Sequence, residues 1–152
     1  MSDSSLPHPG PSKIIFVLIA IVSLAGIVVS AISLQRHYAK SDTKYCDFGE
    51  KFNCDIVNRS EYSEIVGIPV AGIGVIGYAA LLVLSTLLRS RAETPTRLLS
   101  AALAGLAFAL WLTYVEGRIL MTWCILCLTS LGLIFLISAL AGIAKMQTAK
   151  SS

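Results

Sequence analysis

The sequence predicts an all-α membrane protein, a bundle of four transmembrane helices with a long loop between the first and the second. Hydrophobic residues make up 55% of the chain and charged residues only 14%, whereas a soluble domain carries about 25% charged residues. Four stretches of 21, 19, 18 and 26 residues contain no charge at all: Ile14–Leu34, Val70–Leu88, Leu98–Val115 and Ile119–Ala144. A bilayer core about 30 Å thick needs roughly 20 helical residues, and backbone in lipid must satisfy its own hydrogen bonds.

The first stretch is predicted to be an uncleaved helix, because its apolar run is longer than the roughly 7–15 residues of a signal peptide. Val29 and Ala31 imitate a cleavage site, which keeps a signal peptide as the alternative. The second stretch is entered through Gly67-Ile68-Pro69, and a tiny turn at Glu116–Arg118 separates the third from the fourth.

Three regions follow from these spans. Residues 1–13 are predicted to be a disordered cytoplasmic tail, residues 14–144 the membrane domain with a loop at 35–69, and residues 145–152 a second cytoplasmic tail. Six lysines and arginines fall on each side of the membrane, but those on the side of the termini lie in shorter segments near helix ends, which favours cytoplasmic termini. The loop would then lie outside the cytoplasm.

Composition also argues against two classes of function. The net charge of +3 is small and the basic residues do not cluster, so nucleic-acid binding has little support. No ionisable residue lies inside the four apolar stretches, whereas ion channels and proton-coupled transporters usually need some.

The four cysteines form two pairs that should meet at one membrane surface. Cys46 and Cys54 lie in the loop with seven residues between them, and Cys124 and Cys127 form a Cys-x-x-Cys motif near the start of the fourth stretch. The chain crosses the membrane twice between the pairs, which returns it to the same side. Three-residue spacing on a helix puts Cys124 and Cys127 on one face, and a helix N-terminus favours thiolate. This predicts thiol–disulfide chemistry, which belongs on the oxidising side of a membrane.

Three other interpretations remain open. A zinc site would use four ligands, usually in two short pairs, which this spacing does not provide, so no metal is expected. A structural Cys46–Cys54 bridge would leave Cys124 and Cys127 inert. A structural tetraspan membrane protein with a loop disulfide would likewise need one stable bridge only.

The remaining loop residues predict a short segment over one end of the bundle. Asp55 is a candidate helix cap, and Ile56, Val57, Ser60, Ile65 and Val66 could form the less polar side of an amphipathic segment lying along the interface. An ordinary surface loop is the alternative. Trp111, Tyr114 and Trp123 fall near the predicted outer boundary, where an aromatic belt explains them.

These residues resemble the vitamin K epoxide reductase family, especially its bacterial members. The resemblance rests on Cys46, on Cys54 followed by DIVNRSEYSEIVGIPVAGIGVIGY, and on WCILC before the last helix, and it covers roughly residues 14–143. It implies a four-helix bundle around a quinone, capped by a half-helix of the loop.

The resemblance also implies roles for individual residues. Cys124 and Cys127 match the catalytic pair beside the quinone, and Cys46 and Cys54 the shuttle pair. Ser60 matches a serine of the capping segment and, with Trp123, is a candidate quinone contact. The implied activity passes electrons from a thioredoxin-like periplasmic or lumenal protein to a ubiquinone, menaquinone or vitamin K-type quinone and so supports disulfide bond formation.

Two departures from the family pattern bear on this activity. Animal members carry a tyrosine four residues after the second catalytic cysteine, where this chain has Leu131, which puts the alternative of vitamin K quinone or epoxide reduction in doubt. Many bacterial members carry a fused thioredoxin-like domain that this sequence lacks, so the partner is expected to act in trans. The expected location is a bacterial inner membrane, with the cysteines on the periplasmic side.

Overall fold

A computed structural model describes residues 11–38, 51–91 and 93–151. The described chain is mainly helical, as predicted, with one small hairpin. In chain order it contains α1 (Pro11–Tyr38), α2 (Cys54–Asn58), a 3-10 turn (Glu61–Ser63), β1 (Glu64–Ile65), β2 (Ile68–Pro69), α3 (Val70–Thr86), α4 (Thr94–Val115), a π-helical turn (Glu116–Leu120) and α5 (Ile125–Ser151).

The four longer helices pack in a ring: α1 contacts α3, α3 contacts α4, α4 contacts α5, and α5 contacts α1. Three segments are long and apolar enough to cross a membrane, namely Lys13–Tyr38, Thr94–Leu120 and Ile125–Lys150. The apolar helix α3 has 17 residues, or about 26 Å at the α-helical rise. Three of the predicted spans are therefore confirmed by length and composition, and the count of four stays a prediction.

The inside of the ring is built from small and branched side chains. Ile19, Leu98 and Ile137 are fully buried there, and Ala102 and Ala141 let the helices approach closely. Large apolar side chains cover the outside instead, including Ile14, Ile21, Val28, Ile76, Leu110 and Phe135. An apolar exterior around a tightly packed core suits a bundle whose surroundings are lipid.

Helix ends differ from the sequence prediction at three places. Helix α1 begins at Pro11, a proline at its first position, so residues 11–13 are helical rather than part of a disordered tail; residues 1–10 lie outside the described residues. Helix α5 continues to Ser151 and makes most of the predicted second tail helical. It also begins at Ile125, not at Ile119.

The late start of α5 has a backbone cause. The chain leaves α4 through the π-helical turn, which takes up Ile119 and Leu120, and Met121 then adopts a left-handed conformation with φ of 55°. A left-handed residue ends a right-handed helix. The apolar run is thus shared between two helices and a short extended segment, which hydrophobicity alone does not reveal.

The loop segment after residue 50 starts with the short helix α2. The predicted cap at Asp55 is wrong: the side chain of Asn53 accepts hydrogen bonds from the backbone nitrogens of Asp55 at 3.0 Å and Ile56 at 3.2 Å. The predicted apolar side is also only partly correct, because Val57 is buried whereas Ile56 is 51% exposed. A five-residue helix is too short to present a continuous apolar face.

Strands β1 and β2 pair antiparallel, with Ile65 opposite Ile68. The two residues between them, Val66 and Gly67, both have positive φ, 55° and 79°, as the tight turn of a two-residue hairpin requires. Val66 is 96% exposed. The hairpin turns the chain back towards the start of α3.

Candidate active site

A backbone clip joins the loop segment to the chain just before α5. The nitrogen of Trp123 donates to the oxygen of Lys51 at 2.8 Å, and the nitrogen of Asn53 donates to the oxygen of Trp123 at 3.1 Å. Phe52 and Trp123 form a parallel bridge between these two bonds. Cys54 follows Asn53 and Cys124 follows Trp123 in the sequence, so the clip places Cys54 beside Cys124.

Cys54 and Cys124 are both fully buried and share one apolar cluster with Val57. Cys127 packs against the edge of this cluster. The prediction that the loop and the Cys-x-x-Cys motif meet is therefore confirmed for these three cysteines, while Cys46 lies outside the described residues. Cys54 is disulfide-bonded, and Cys124 and Cys127 are free thiols.

Cys124 lies immediately before the first residue of α5, and Cys127 lies in the first turn of that helix. The backbone oxygen of Cys124 accepts a hydrogen bond from the nitrogen of Leu128 at 3.0 Å, which makes Cys124 the N-cap residue of α5. A hydrogen bond from the Cys127 side chain lowers the pKa of Cys124 against the opposing effects of burial and of the nearby Glu116 carboxyl. The pair therefore holds one sulfur with a lowered pKa and one that donates a hydrogen bond to it.

A cavity of about 400 Å³ lies within the helix ring beside this pair. All four longer helices line it, and Val57, Asn58 and residues of the 3-10 turn close one end. Cys127 lines the cavity whereas Cys124 does not. The volume is in the range of small-molecule sites, and a mainly apolar lining with a few polar groups is typical of them.

The two predicted quinone contacts have different surroundings. Ser60 lines the cavity, with its hydroxyl donating to the oxygen of Val57 at 2.8 Å. Trp123 does not line it; its ring lies against Gly117, where an added Cβ would come within 2.9 Å of the indole. The indole thus contacts the turn after α4.

Glu116 is a site residue that the sequence placed in a turn without a role. Its side chain is 2% exposed, lines the cavity and accepts from the backbone nitrogen of Cys124 at 3.2 Å. The carboxyl also hydrogen-bonds the side chain of Cys127. Its position as the single acidic residue of the turn, eight positions before Cys124, is the one sequence signal that could have pointed to it.

His37 and Asn58 form a second polar contact that was not predicted, because the spacing of residues around the histidine indicates no partner for it. Its Nδ1 lies 2.5 Å from the oxygen of Asn58, and its Nε2 lies 2.9 Å from Oε1 of Glu64. Asn58 in turn donates from Nδ2 to the Sγ of Cys124 at 3.9 Å. These bonds connect the end of α1, the loop segment and the Cys-x-x-Cys motif.

A membrane-type helix ring with a buried dithiol beside an apolar cavity defines a class of membrane oxidoreductase. The model of the vitamin K epoxide reductase family matches residues 17–141, and the chain belongs to that family. The family carries out quinone-linked thiol oxidoreductase chemistry in general. Among the described residues, no group of three or more histidine, cysteine or acidic side chains is arranged to hold a metal ion.

Proposed function

We propose that this protein is a quinone-dependent thiol–disulfide oxidoreductase that supports disulfide bond formation. A reduced thioredoxin-like protein acting in trans reduces the Cys46–Cys54 pair. The Cys54 thiolate then attacks Sγ of Cys124 in the oxidised catalytic pair, and Cys127 leaves as a thiolate. Each step is thiol–disulfide exchange through a mixed disulfide.

The observation that carries this proposal is the division of contacts between two neighbouring sulfurs. Cys124 packs against Cys54 and is absent from the cavity lining, whereas Cys127 lines the cavity. In this proposal Cys124 receives electrons from Cys54, and Cys127 passes them to the quinone in the cavity. A purely structural bridge in a tetraspan would not require a second pair of free thiols with this arrangement.

The bonding pattern of the described cysteines is one stage of this proposed cycle: Cys54 is disulfide-bonded while Cys124 and Cys127 are free thiols. The lowered pKa of Cys124 makes it a good leaving thiol and so keeps this exchange reversible.

The cavity fits the ring of a quinone, which would supply the sink for two electrons and two protons. Its lining offers apolar contacts from Val29, Ile73 and Leu112, and hydroxyl groups from Ser60 and Tyr62. Leu131, the position of the animal-type tyrosine, contributes to a different surface groove. Vitamin K epoxide reduction therefore gains no support from the described residues.

The proposal includes a direction of insertion. Both termini lie in the cytoplasm of a bacterial cell, and the loop with Cys54 lies on the periplasmic side, where oxidising chemistry is maintained. A thioredoxin-like protein would reach the cysteine pair from there, and lipid-soluble quinone would enter between the helices.

The test measures quinone absorbance with purified protein in nanodiscs, a soluble quinone and either of two electron donors. One donor is a reduced thioredoxin-like protein, and the other is a small dithiol that diffuses to the buried pair directly. Wild type should consume quinone with both donors, and Cys127→Ala with neither. Cys54→Ala should lose activity with the protein donor and keep it with the small dithiol.

This pattern separates the proposed route from its alternatives. Equal loss of both activities in Cys54→Ala would mean that Cys54 supports the structure rather than passing electrons. Undiminished consumption by Cys127→Ala would contradict the whole route. Consumption of vitamin K epoxide by the wild type would favour the animal-type reaction.

A further inference from the structure

Glu116 is a carboxyl group enclosed at the point where the catalytic pair meets the cavity. Its side chain is 2% exposed, it lines the cavity, and its Oε2 accepts the backbone N–H of Cys124 at 3.2 Å. The Cys127 side chain forms a hydrogen bond with the same carboxyl. One acidic group therefore contacts both residues of the pair.

The local backbone fixes this position. The π-helical turn places Glu116 at the end of α4, and its own backbone oxygen accepts from the nitrogen of Thr122 at 3.2 Å. The backbone and the side chain of one residue thus both hold the segment that leads into α5. A rotation of the side chain away from Cys124 would break its bond to the Cys124 nitrogen.

Charged groups that could neutralise the carboxyl are scarce around it. Apart from Cys127, the titratable side chains lining the cavity are His37, Tyr62 and Tyr78, and no lysine or arginine lines it within the described chain. A carboxylate buried without a cation is costly. A group in this position is suited to exchange a proton rather than to carry a permanent charge.

We infer that Glu116 is the proton carrier of the catalytic pair, taking the proton of the Cys127 thiol and releasing it into the cavity. This inference rests on the proposed function and names a catalytic residue for it. The acceptor of the proton is the oxidising substrate that occupies the cavity, a quinone.

The proton and electron balance is as follows. Oxidation of the pair breaks two S–H bonds, forms the Cys124–Cys127 bond and releases two electrons and two protons; the quinone gains two of each and becomes a quinol. The Cys127 proton passes to the Glu116 carboxylate and then to the quinone oxygen. The Cys124 proton leaves to water, and the second quinone oxygen takes its proton from water.

Glu116→Gln separates proton transfer from positioning. The amide keeps an oxygen that accepts from the Cys124 nitrogen but accepts no proton from a thiol. General acid–base catalysis is worth about 10²-fold or more, so quinone reduction driven by a small dithiol should fall about 10²-fold near neutral pH. The deficit should narrow as pH rises, because hydroxide then removes the thiol proton. Glu93→Gln, an exposed carboxyl between α3 and α4, is the matched control.

Two readouts do not need quinone. In Glu116→Gln, thermal unfolding should stay at the wild-type value, and disulfide exchange between Cys54 and Cys124 should not slow. An infrared difference spectrum between the dithiol and disulfide forms should show a change in the carboxylic-acid C=O band in wild type and in Glu93→Gln. That change should be missing in Glu116→Gln.

Each outcome decides the inference. Quinone reduction by Glu116→Gln equal to that of Glu93→Gln at all pH values would overturn it, as would an infrared change that survives the substitution. Parallel losses of exchange rate and thermal stability would also overturn it, in favour of a structural role. A wild-type protein that reduces no quinone would refute the proposed function, and the infrared measurement would then decide the role of Glu116 by itself.

Discussion

Asn58, in the last turn of α2, donates from its side-chain Nδ2 to the Sγ of Cys124 at 3.9 Å, with both residues buried. The contact joins the short helix that carries Cys54 to the sulfur that Cys54 is proposed to attack. A donor aimed at a sulfur stabilises its thiolate form. Asn58 should therefore assist every exchange step in which Cys124 leaves or attacks.

Substitutions of Asn58 should slow the exchange between Cys54 and Cys124. Asn58→Ala removes a hydrogen bond worth about 1 kcal/mol, or roughly a fivefold rate loss. Asn58→Asp places a carboxylate beside the sulfur and should slow exchange further, although its shape is nearly the same. The measurement is the attack of Cys124 on a mixed disulfide of Cys54 with a small thiol, followed by release of that thiol, in a Cys46→Ala, Cys127→Ala background. If Asn58→Asp and the protein with Asn58 retained exchange at equal rates, the contact between Asn58 and Cys124 would have no role in the exchange.

The pKa of the Cys124 thiol should depend on the hydrogen-bond donor at position 127. Since the hydrogen bond from the Cys127 side chain is the largest cause of the lowered pKa of Cys124, Cys127→Ala should raise that pKa, and Cys127→Ser should keep part of the effect. The titration follows thiolate ultraviolet absorbance in a background without Cys46 and Cys54.

The sign of the pH effect follows from the direction of the shift. A lowered pKa means that Cys124 is a thiolate at lower pH than an ordinary cysteine, so its attack on a disulfide should reach a plateau at lower pH in Cys127→Ser than in Cys127→Ala. Identical pH profiles for the two variants would show that burial or the Glu116 carboxyl, rather than the neighbouring sulfur, controls Cys124.

The contact of Cys54 with Cys124 could be predicted from sequence because it depends only on topology. An even number of crossings returns the chain to the same side whatever the exact helix ends, and errors of several residues in α1 and α5 did not affect it. Charge-free stretches likewise located the long helices, since lipid tolerates few alternatives to apolar side chains there.

Glu116 and His37 could not be assigned in the same way. The position of Glu116 depends on a π-helical turn and on the left-handed backbone of Met121, and a methionine, unlike glycine or asparagine, gives no local signature of that backbone conformation. His37 finds its acceptors more than 20 residues further along the chain. Both arrangements are set by tertiary structure and not by spacing along one helix.

His37 should hold the loop segment on the end of the bundle. Both ring nitrogens lie against acceptors, the oxygen of Asn58 and the carboxylate of Glu64, so the ring contacts the loop segment at two points and donates a hydrogen bond to at least one of them. His37→Ala should release the segment locally, and trypsin cleavage at Arg59 should become at least roughly fivefold faster, since at least one bond of about 1 kcal/mol is lost. Global unfolding of the helix ring should change little.

Two acidic neighbours supply the comparison for this experiment. Glu64→Gln keeps a neutral acceptor and should give cleavage between wild type and His37→Ala. Glu61, exposed on the adjacent 3-10 turn, should behave as wild type when changed to glutamine. Cleavage of His37→Ala at the wild-type rate would mean that the clip between Lys51 and Trp123 holds the segment without the histidine.

A side chain at Gly26, the glycine of α1, should destabilise the helix bundle. A Cβ there would come within 2.3–2.6 Å of ring carbons of Tyr78. That ring cannot move freely, because its hydroxyl donates to the oxygen of Ser130 at 2.8 Å and lies 2.9 Å from the Ser130 hydroxyl. Gly26→Ala should therefore destabilise the bundle by about 1–3 kcal/mol through overpacking, measured by thermal unfolding in detergent.

Gly142→Ala is the matched control, since nothing lies within 4 Å of a Cβ added at that position of α5. It should be neutral or stabilising by up to about 1 kcal/mol, because alanine favours helix over glycine. In a Tyr78→Ala background the ring is gone, and Gly26→Ala should then cost much less than in wild type. Equal melting temperatures for Gly26→Ala and Gly142→Ala would show that α1 and α3 separate easily, and that the fixed Tyr78 ring does not set the distance between them beside the cavity.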